Sequence, residues 1–350
     1  MFEPVFRRTD LLIELISRIA VARDRILRAP IVPRWEVELR REALTRSAHH
    51  STSIEGNPLS LEEVTDLLTG CEVLAHPRDR QEVLNYAAVL RYIDRHFLGQ
   101  VQLLTEQTIK HLHDLVVQDI LPAGESGHYR RVPVVVGVPV TGKVVFRPPG
   151  WEQVPTLMAG LIGWLNTPQA TALMPVLQAG IAHYELVRIH PFTDGNGRTA
   201  RALATLILAQ RGFDLKRFFA LDEYYNQDRA SYYEALRSVD PQTQDLTEWL
   251  EYFVQGVAVE MVRVERRVEE LARLYRVEQA TEQISLNLRQ IKLLDYLQSS
   301  GSISNSEYQE LFMVSKRTAS NDLGELAAHG LLSIEGAGRA TRYRLAESNT

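Results

Sequence analysis

The chain has 350 residues, more than one compact core usually holds, so we expect two or three domains. Its composition, 45% hydrophobic and 24% charged, excludes an intrinsically disordered protein. The net charge of -5 argues against a protein that binds nucleic acid over its whole surface, so any contact with DNA must be local.

Membrane insertion and disulfide bonding are also disfavoured. The apolar runs 132–138 and 202–209 fall well short of the roughly 20 residues that a membrane-spanning helix needs. The first residues carry several charges and resemble no cleaved signal peptide. A single cysteine, Cys71, excludes an internal disulfide and suits a reducing compartment. We therefore expect a cytoplasmic protein with no membrane partner.

Apolar residues in 11–26 recur at intervals of three and four, the spacing of one buried helix face. The same spacing continues through most of the chain to about Leu297 and predicts a mainly α-helical body. The exception is 131–146, where valines on both sides of Gly137 predict a β-hairpin. Helical spacing resumes after the prolines and glycine at 148–150.

An apolar seam from Val257 to Leu274 lies on a strongly charged stretch and predicts a long connecting helix. With a boundary near Thr281, the chain divides into four predicted parts. These are an N-terminal helical region over 1–100, a central domain over 101–255, a linker helix over 256–284 and a C-terminal domain over 285–350.

The most informative segment is 190–201, His-Pro-Phe-Thr-Asp-Gly-Asn-Gly-Arg-Thr-Ala-Arg, between two apolar helical stretches. Gly195 and Gly197 let the backbone fold tightly, so that amide groups and a helix N-terminus converge on an anion such as a polyphosphate. Arg198 and Arg201 share one helix face, where they can bind further phosphate oxygens.

Two other side chains of the segment suit phosphate chemistry. Asp194 offers a hard oxygen for a magnesium ion that phosphates already hold in part. His190 can accept a proton near neutral pH and so activate a hydroxyl nucleophile. Taken singly, such a histidine is usually structural and a Gly-Asn-Gly loop is usually only a turn. It is the combination that predicts a site.

The segment resembles, at every fixed position, the H-x-F-x-D/E-G-N-G-R-x-x-R signature of the Fic family. The resemblance implies a Fic-type helical bundle with a β-hairpin flap. It implies that His190 deprotonates a Ser, Thr or Tyr hydroxyl of a target protein, which attacks the α-phosphate of ATP with pyrophosphate leaving. AMP is thereby transferred, with ATP as substrate and Mg²⁺ as cofactor.

The resemblance also assigns roles within the segment. Asp194 would hold Mg²⁺ and Phe192 would pack beneath the loop. The nucleotide's phosphates would be bound by Gly195, Asn196, Gly197, Arg198 and Arg201. The flap would align a target segment by strand pairing through Val134, Val135, Val136 and Gly137, although an ordinary edge hairpin has the same composition.

A second resemblance lies downstream, where 229–233 matches R-x-x-Y-Y, whose aromatics lie near the adenine in the family. Tyr232 and Tyr233 would then contact the adenine, or would simply belong to the core. The asparagine usual before this arginine is Asp228 here, which leaves any asparagine contact in doubt.

Upstream, 51–57 resembles the inhibitory pattern S/T-x-x-x-E-G/N of Fic proteins whose regulatory helix, here around 43–56, precedes the catalytic domain. The pattern places Ser51 and Glu55 at its two fixed positions. Glu55 would form a forked ion pair with Arg201 and misalign the α-phosphate of ATP. The alternative is a helix that simply ends at Gly56. Glu55 could also orient water and so support removal of AMP under other conditions.

The C-terminal pattern of three short helices and two alternating strands resembles a winged helix-turn-helix. Its candidate DNA contacts are Lys316, Arg317, Arg339 and Arg342. Contact with protein, including a homodimer, is equally open.

Two other functions remain open beside adenylyl transfer to proteins, the chain itself included. One is Fic-type transfer of another phosphate-containing group, such as phosphocholine, a different nucleotide or phosphate. The other is a winged-helix transcriptional regulator whose Fic body senses a nucleotide. A P-loop kinase is excluded because no GxxxxGK[ST] sequence is present.

Overall fold

The computed structural model describes residues 2–29, 33–137, 144–213, 218–283, 287–336, 338 and 341–346. The chain forms two compact units. Unit 1 comprises Met1–Arg28 and Pro33–Arg266, and unit 2 comprises Ala29–Val32 and Arg267–Thr350. The mainly helical fold expected from the sequence is confirmed.

Unit 1 contains eleven described α-helices and the first part of a twelfth, besides a short 3-10 helix at Trp151–Gln153. The α-helices are α1 (Asp10–Arg28), α2 (Pro33–Ile54), α3 (Leu61–Thr69), α4 (Pro77–Phe97), α5 (Glu106–Val117), α6 (Val154–Leu165), α7 (Pro168–Ala172), α8 (Pro175–Ile189), α9 (Asn196–Gln210), α10 (Leu221–Gln227), α11 (Arg229–Arg237) and α12 (Thr247–Gln283). No helix within the described residues is long and apolar enough to cross a membrane.

The central pair of unit 1 is α8 and α9. Both helices bury most of their residues, as expected of helices surrounded by protein on all sides. α4 and α5 also contact α9, and α2 packs on α4 and α10. At Gly180 an added Cβ would lie 2.9 Å from a methyl group of Leu250, so α8 and α12 approach closely. The connection between α8 and α9 is thus held by a rigid core.

The predicted hairpin is present but short. Strand β1 (Val136–Gly137) pairs antiparallel with β2 (Val144–Phe146), and the register shifts between the two residues of β1. Val134 and Val135 precede the first strand, next to a proline that cannot donate to a ladder. The turn, 138–143, lies outside the described residues.

Unit 2 has the expected order of elements. After α12 come α13 (Leu288–Ser300), α14 (Asn305–Phe312), α15 (Lys316–Ala328), β3 (Leu332–Glu335) and β4 (Arg342–Leu345). The two strands pair antiparallel, and Ile303 adds a bridge to Tyr343. The core is apolar: Leu293, Leu294, Leu297, Ile303, Tyr308, Ala319, Leu323, Leu326, Leu331 and Leu332.

One buried carboxylate ties the helices of unit 2 together. Asp322 on α15 accepts hydrogen bonds from Tyr308 Oη (2.9 Å), Arg289 Nε (2.9 Å) and Asn287 Nδ2 (2.9 Å). Burial raises the pKa of Asp322, but these three partners outweigh it and lower the pKa below 3.8. The carboxylate is therefore ionised and paired at neutral pH.

We predict that Asp322→Ala destabilises unit 2 by about 2–4 kcal/mol, because three polar groups lose their shared partner. Tyr308→Phe removes one hydrogen bond and should cost about 1 kcal/mol. Hydrogen–deuterium exchange of peptides from 287–336 in the full chain measures both. Equal acceleration of exchange in the two variants would contradict the central place of Asp322.

Candidate functional site

The segment 190–195, called here the motif loop, connects α8 to α9. His190 caps α8 in the left-handed conformation (φ 53°), and Gly195 precedes α9 with φ 74°. The side chain of Asn196 closes the loop: its Nδ2 donates to Phe192 O (3.0 Å) and its Oδ1 accepts from Phe192 N (2.9 Å). The Asn196 amide thus braces the loop, and Phe192 is fully buried beneath it.

Position 195 accommodates only glycine. A Cβ at this position would lie 2.8 Å from Val117 Cγ1 and 3.3 Å from Val116 Cγ1, and the positive φ would strain any other residue. The loop can therefore lie directly on α5. The first amide groups of α9 have no partner within that helix, and this end of the helix favours an anion.

His113 on α5 supports the loop, although no pattern in the sequence predicts this contact. Its ring stacks on Phe192, with centroids 3.7 Å apart and planes at 2°. Its Nδ1 accepts from Gly127 N (3.0 Å), so its Nε2–H donates to Asp194 O (3.0 Å). Burial lowers the pKa of His113 to about 4, so the ring is neutral and fixed in this tautomer.

His190 is oriented as a base. Its Nδ1 lies 3.2 Å from Val187 O, an acceptor, so Nδ1 carries the proton and Nε2 keeps its lone pair. Burial lowers the pKa of His190 below 6.5, although the hydrogen bond to Val187 and the charge of Glu55 oppose this. The neutral imidazole therefore predominates at pH 7.

Arg130 fixes the backbone of this histidine, and no pattern in the sequence predicts this contact either. Its guanidinium, on a residue only 3% exposed, donates from Nε to His190 O (2.8 Å) and from Nη2 to Pro149 O (2.6 Å). Its backbone N donates to Pro191 O (2.9 Å). One side chain thus joins the motif loop to both ends of the segment that contains the hairpin.

Arg201 on α9 is buried and meets the end of α2. Its Nε donates to Ser51 Oγ (2.8 Å), and its Nη2 donates to Ser51 O (2.8 Å) and to Glu55 Oε1 (2.9 Å). On α10, Asp222 Oδ1 lies 3.3 Å from Arg201 Nε. The expected fork between Glu55 and Arg201 is therefore corrected to a single bond from Nη2, which Glu55 shares with Ser51 O.

Glu55 also approaches the first turn of α9. A Cβ at Gly197 would collide with Glu55 Oε1 and would lie 3.1 Å from Arg201 Nη1. The Glu55 carboxylate therefore lies where the helix N-terminus favours an anion. α2 ends at Ile54, just before Glu55, and Gly56 follows with φ 100°, so the helix ending and the contact with Arg201 are both present.

Arg198 is buried with donors to spare. Its Nη1 lies 3.4 Å from Glu82 Oε1 and its Nη2 lies 3.8 Å from Asp194 Oδ1. Within the part of the chain that the structure describes, its Nε and Nη1 form no hydrogen bond. Buried guanidinium donors without hydrogen bonds suit an oxygen-rich anion.

Asp194 is the one carboxylate of the motif loop. Its Oδ1 accepts from Gly195 N (2.6 Å), and its Oδ2 lies 3.0 Å from Arg78 Nη2. The side chain is 42% exposed. No group of three or more His, Cys, Asp or Glu that could hold a metal occurs among the described residues. One exposed carboxylate beside an anion site fits Mg²⁺, which is commonly held by one or two carboxylates together with phosphates and water.

The two candidate adenine contacts differ in position. Tyr232 is 2% exposed, its hydroxyl lies 3.0 Å from His183 Nε2, and its ring stacks on Tyr225. Tyr233 is 38% exposed. Asp228, in place of the usual asparagine, caps α11 by accepting from the backbone N of Ser231 at 3.0 Å. Tyr232 is a core residue, and only Tyr233 reaches the surface.

In unit 2 the candidate DNA contacts also differ. Lys316 and Arg317 are exposed at the start of α15. Arg342 donates to Glu307 Oε2 (2.9 Å) and Ser302 Oγ (2.9 Å), so it is already paired within the unit. Arg339 lies outside the described residues.

Comparison with known proteins agrees with this geometry. Residues 103–208 match the Fic/DOC family, and 289–342 match the DeoR-like helix-turn-helix domain. The chain is 36% identical over 175 residues to a protein adenylyltransferase Fic of Culex quinquefasciatus, covering 49% of this chain and 33% of the relative. Against the protein of that name from Nematostella vectensis it is 32% identical over 235 residues, covering 65% and 50%. The chain thus spans about a third to a half of the curated relatives it matches.

Solved structures show the same fold. A Fic family protein from Desulfovibrio desulfuricans G20 matches with a TM-score of 0.64 at 25% identity, over 100% of both chains. Residues 134–508 of Fic-1 from C. elegans match with a TM-score of 0.58 at 27% identity, over 72% of this chain and 70% of that one. The chain therefore carries a Fic/DOC-family domain at residues 103–208 and a DeoR-like helix-turn-helix domain at residues 289–342.

Proposed function

We propose that the protein transfers AMP from ATP to a hydroxyl group of a protein. The observation that carries this proposal is the position of His190. Its Nε2 is an unprotonated base at one end of the motif loop, while the other end is the anion-binding start of α9. The names of the curated relatives support the same activity.

The triphosphate would bind at the start of α9. Arg198 brings buried donors without hydrogen bonds, and Arg201 would contribute once Glu55 moves away. Because the Asn196 amide is already bonded to Phe192, we assign it to bracing the loop rather than to holding phosphate. Asp194 would hold Mg²⁺, which would neutralise phosphate charge when bound.

The transfer step needs a base and a target hydroxyl that is aligned with the α-phosphorus. His190 Nε2 would accept the proton of a Ser, Thr or Tyr hydroxyl as its oxygen attacks the α-phosphorus, and the bond to pyrophosphate would break. The hairpin would place the target segment by strand pairing at β1, next to which Val135 is exposed. A hydroxyl of the chain itself could serve as target.

Glu55 would inhibit this reaction. Its carboxylate occupies the first turn of α9 and holds Arg201, so ATP could bind only with its phosphates displaced. Ser51 would keep Arg201 turned toward α2. We therefore propose that the catalytic region of the protein includes the end of α2, beyond the matched 103–208.

We predict that Glu55→Gly raises labelling of protein by ATP labelled on the α-phosphate at least tenfold, because one lost charge-assisted contact is worth about 1.5–3 kcal/mol. Addition of His190→Ala to this variant should abolish labelling. Labelled protein bands in magnesium buffer with host lysate give the readout.

As a matched control, Glu62→Gln is compared with Glu55→Gln, because Glu62 is an exposed glutamate on the next helix. Only the change at 55 should increase labelling. Equal labelling of wild type and Glu55→Gly would contradict inhibition by Glu55, and labelling that survives His190→Ala would contradict the base.

The acidic limb of the rate profile tests the base separately. Because burial lowers the pKa of His190 below 6.5, the neutral form should still predominate at pH 6.5. We predict that the half-maximal rate of AMP transfer by Glu55→Gly lies below pH 6.5. Initial rates at closely spaced pH values, with circular dichroism as a control for folding, measure this. A half-maximal rate above pH 7 would contradict it.

Other group transfers would be distinguished by the same assay. If α-labelled ATP gives no labelled protein in any variant but γ-labelled ATP does, phosphate transfer replaces AMP transfer; CDP-choline and other nucleotides test the remaining donors. Removal of AMP is tested by incubating labelled target with wild-type protein and Mg²⁺. Persistence of the label would argue against it.

A second function is supported by the DeoR-like match in unit 2. We propose that the start of α15 meets DNA phosphates through Lys316 and Arg317, which are exposed. Arg342 is paired with Glu307 and contributes less.

We predict that the double change of Lys316 and Arg317 to Gln abolishes retention of duplex DNA at low salt, while Arg342→Gln changes it less than twofold. Gel retardation of mixed-sequence duplex by the full chain measures both. Undiminished retention in the double variant would remove this role of α15.

A further inference from the structure

The carboxylate of Asp194 is already paired with a cation supplied by a distant part of the chain. Arg78 lies in the first turn of α4, and its Nη2 is 3.0 Å from Asp194 Oδ2. Nothing in the motif accounts for this arginine, which stands 116 positions earlier. Asp194 Oδ1 is bonded to the amide of Gly195, so Arg78 covers the oxygen that remains.

Arg78 is held in place from behind. Its Nε donates to Glu82 Oε1 at 3.3 Å, and Glu82 is 8% exposed. The same Glu82 lies 3.4 Å from Arg198 Nη1 and accepts from Asn57 Nδ2 at 3.2 Å. Glu82 therefore links three residues around the site: Arg198, Asn57 and Arg78.

We propose that Arg78 is a positioning residue that acts as a resident counter-cation of Asp194, occupying the carboxylate when Mg²⁺ is absent and withdrawing toward Glu82 when Mg²⁺ enters with the nucleotide. This inference rests on the proposed function.

The charges give the reason. Without a cation, Asp194 would repel the phosphates that bind at the start of α9. A guanidinium on Asp194 Oδ2 removes that repulsion but occupies the oxygen that a metal would take. The two side chains are 52% and 42% exposed, so their ion pair is weak enough to be displaced.

A measurable consequence separates this role from a structural one. Loss of the Arg78 charge should weaken nucleotide binding in the absence of metal, because Asp194 then keeps only the more distant Arg198, at 3.8 Å. Binding with Mg²⁺ should be equal or tighter, because the metal no longer displaces an arginine. The ratio of the two dissociation constants should therefore rise.

The experiment uses the full chain carrying Glu55→Gly and the non-hydrolysable analogue α,β-methylene-ATP. Calorimetric titration in EDTA and in saturating Mg²⁺ gives the two dissociation constants. Arg78→Gln should raise their ratio, without metal to with metal, about three- to tenfold. Arg78→Lys should give a ratio nearer to that of the parent, since the charge is kept.

Arg91→Gln is the matched control, because it removes the same charge from an exposed position on α4 about 20 Å along the helix. It should leave the ratio unchanged. Asp194→Asn should abolish the effect of Arg78→Gln, because the carboxylate that Arg78 neutralises is then gone.

Three results would overturn the proposal. An unchanged ratio in Arg78→Gln, with the analogue still bound, removes the counter-cation and leaves the proposed function standing. Equal weakening with and without Mg²⁺ shows a structural role only. Failure of every variant to bind the analogue removes the proposed function, and this inference with it.

Discussion

The buried guanidinium of Arg201 is the group on which the arrangement of the site depends. A buried charge must be paired, and the partners of Arg201 come from two helices and the turn after one of them. Ser51 and its carbonyl belong to α2, Asp222 belongs to α10, and Glu55 lies just past the end of α2. The end of α2 therefore belongs to the site although it precedes the matched domain by some fifty residues. If Glu55 moved away, Ser51 and Asp222 would still pair the guanidinium of Arg201.

The parts of the site that are contiguous in sequence were predictable. Glycines, an arginine pair and a histidine within twelve residues impose local geometry through backbone freedom and helix spacing, and the loop closes as those rules require. His113, Arg130 and Glu82 were not predictable, because each reaches the motif loop only through tertiary packing.

Three details that the sequence does not settle have the same origin. A forked pair at Arg201 follows from the chemistry of two side chains considered alone, but in the structure Ser51 shares the donor that binds Glu55. Tyr232 and Arg342 also look available in the sequence. In the structure, Tyr232 is hydrogen-bonded to His183 within the aromatic core, and Arg342 is paired with Glu307. The sequence shows which side chains could bind a ligand, but it does not show which of them already have a partner within the protein.

The neutral imidazole beneath the motif loop carries a cost at low pH. Burial lowers the pKa of His113 to about 4 and that of His183 to about 3. Below pH 6.5 both histidines therefore become protonated in the unfolded chain but stay neutral in the folded protein. Each such group removes up to about 1.4 kcal/mol of stability per pH unit as the pH falls from 6.5 toward these values. The burial that keeps His113 and His183 neutral and fixed thus makes unit 1 less stable in acid.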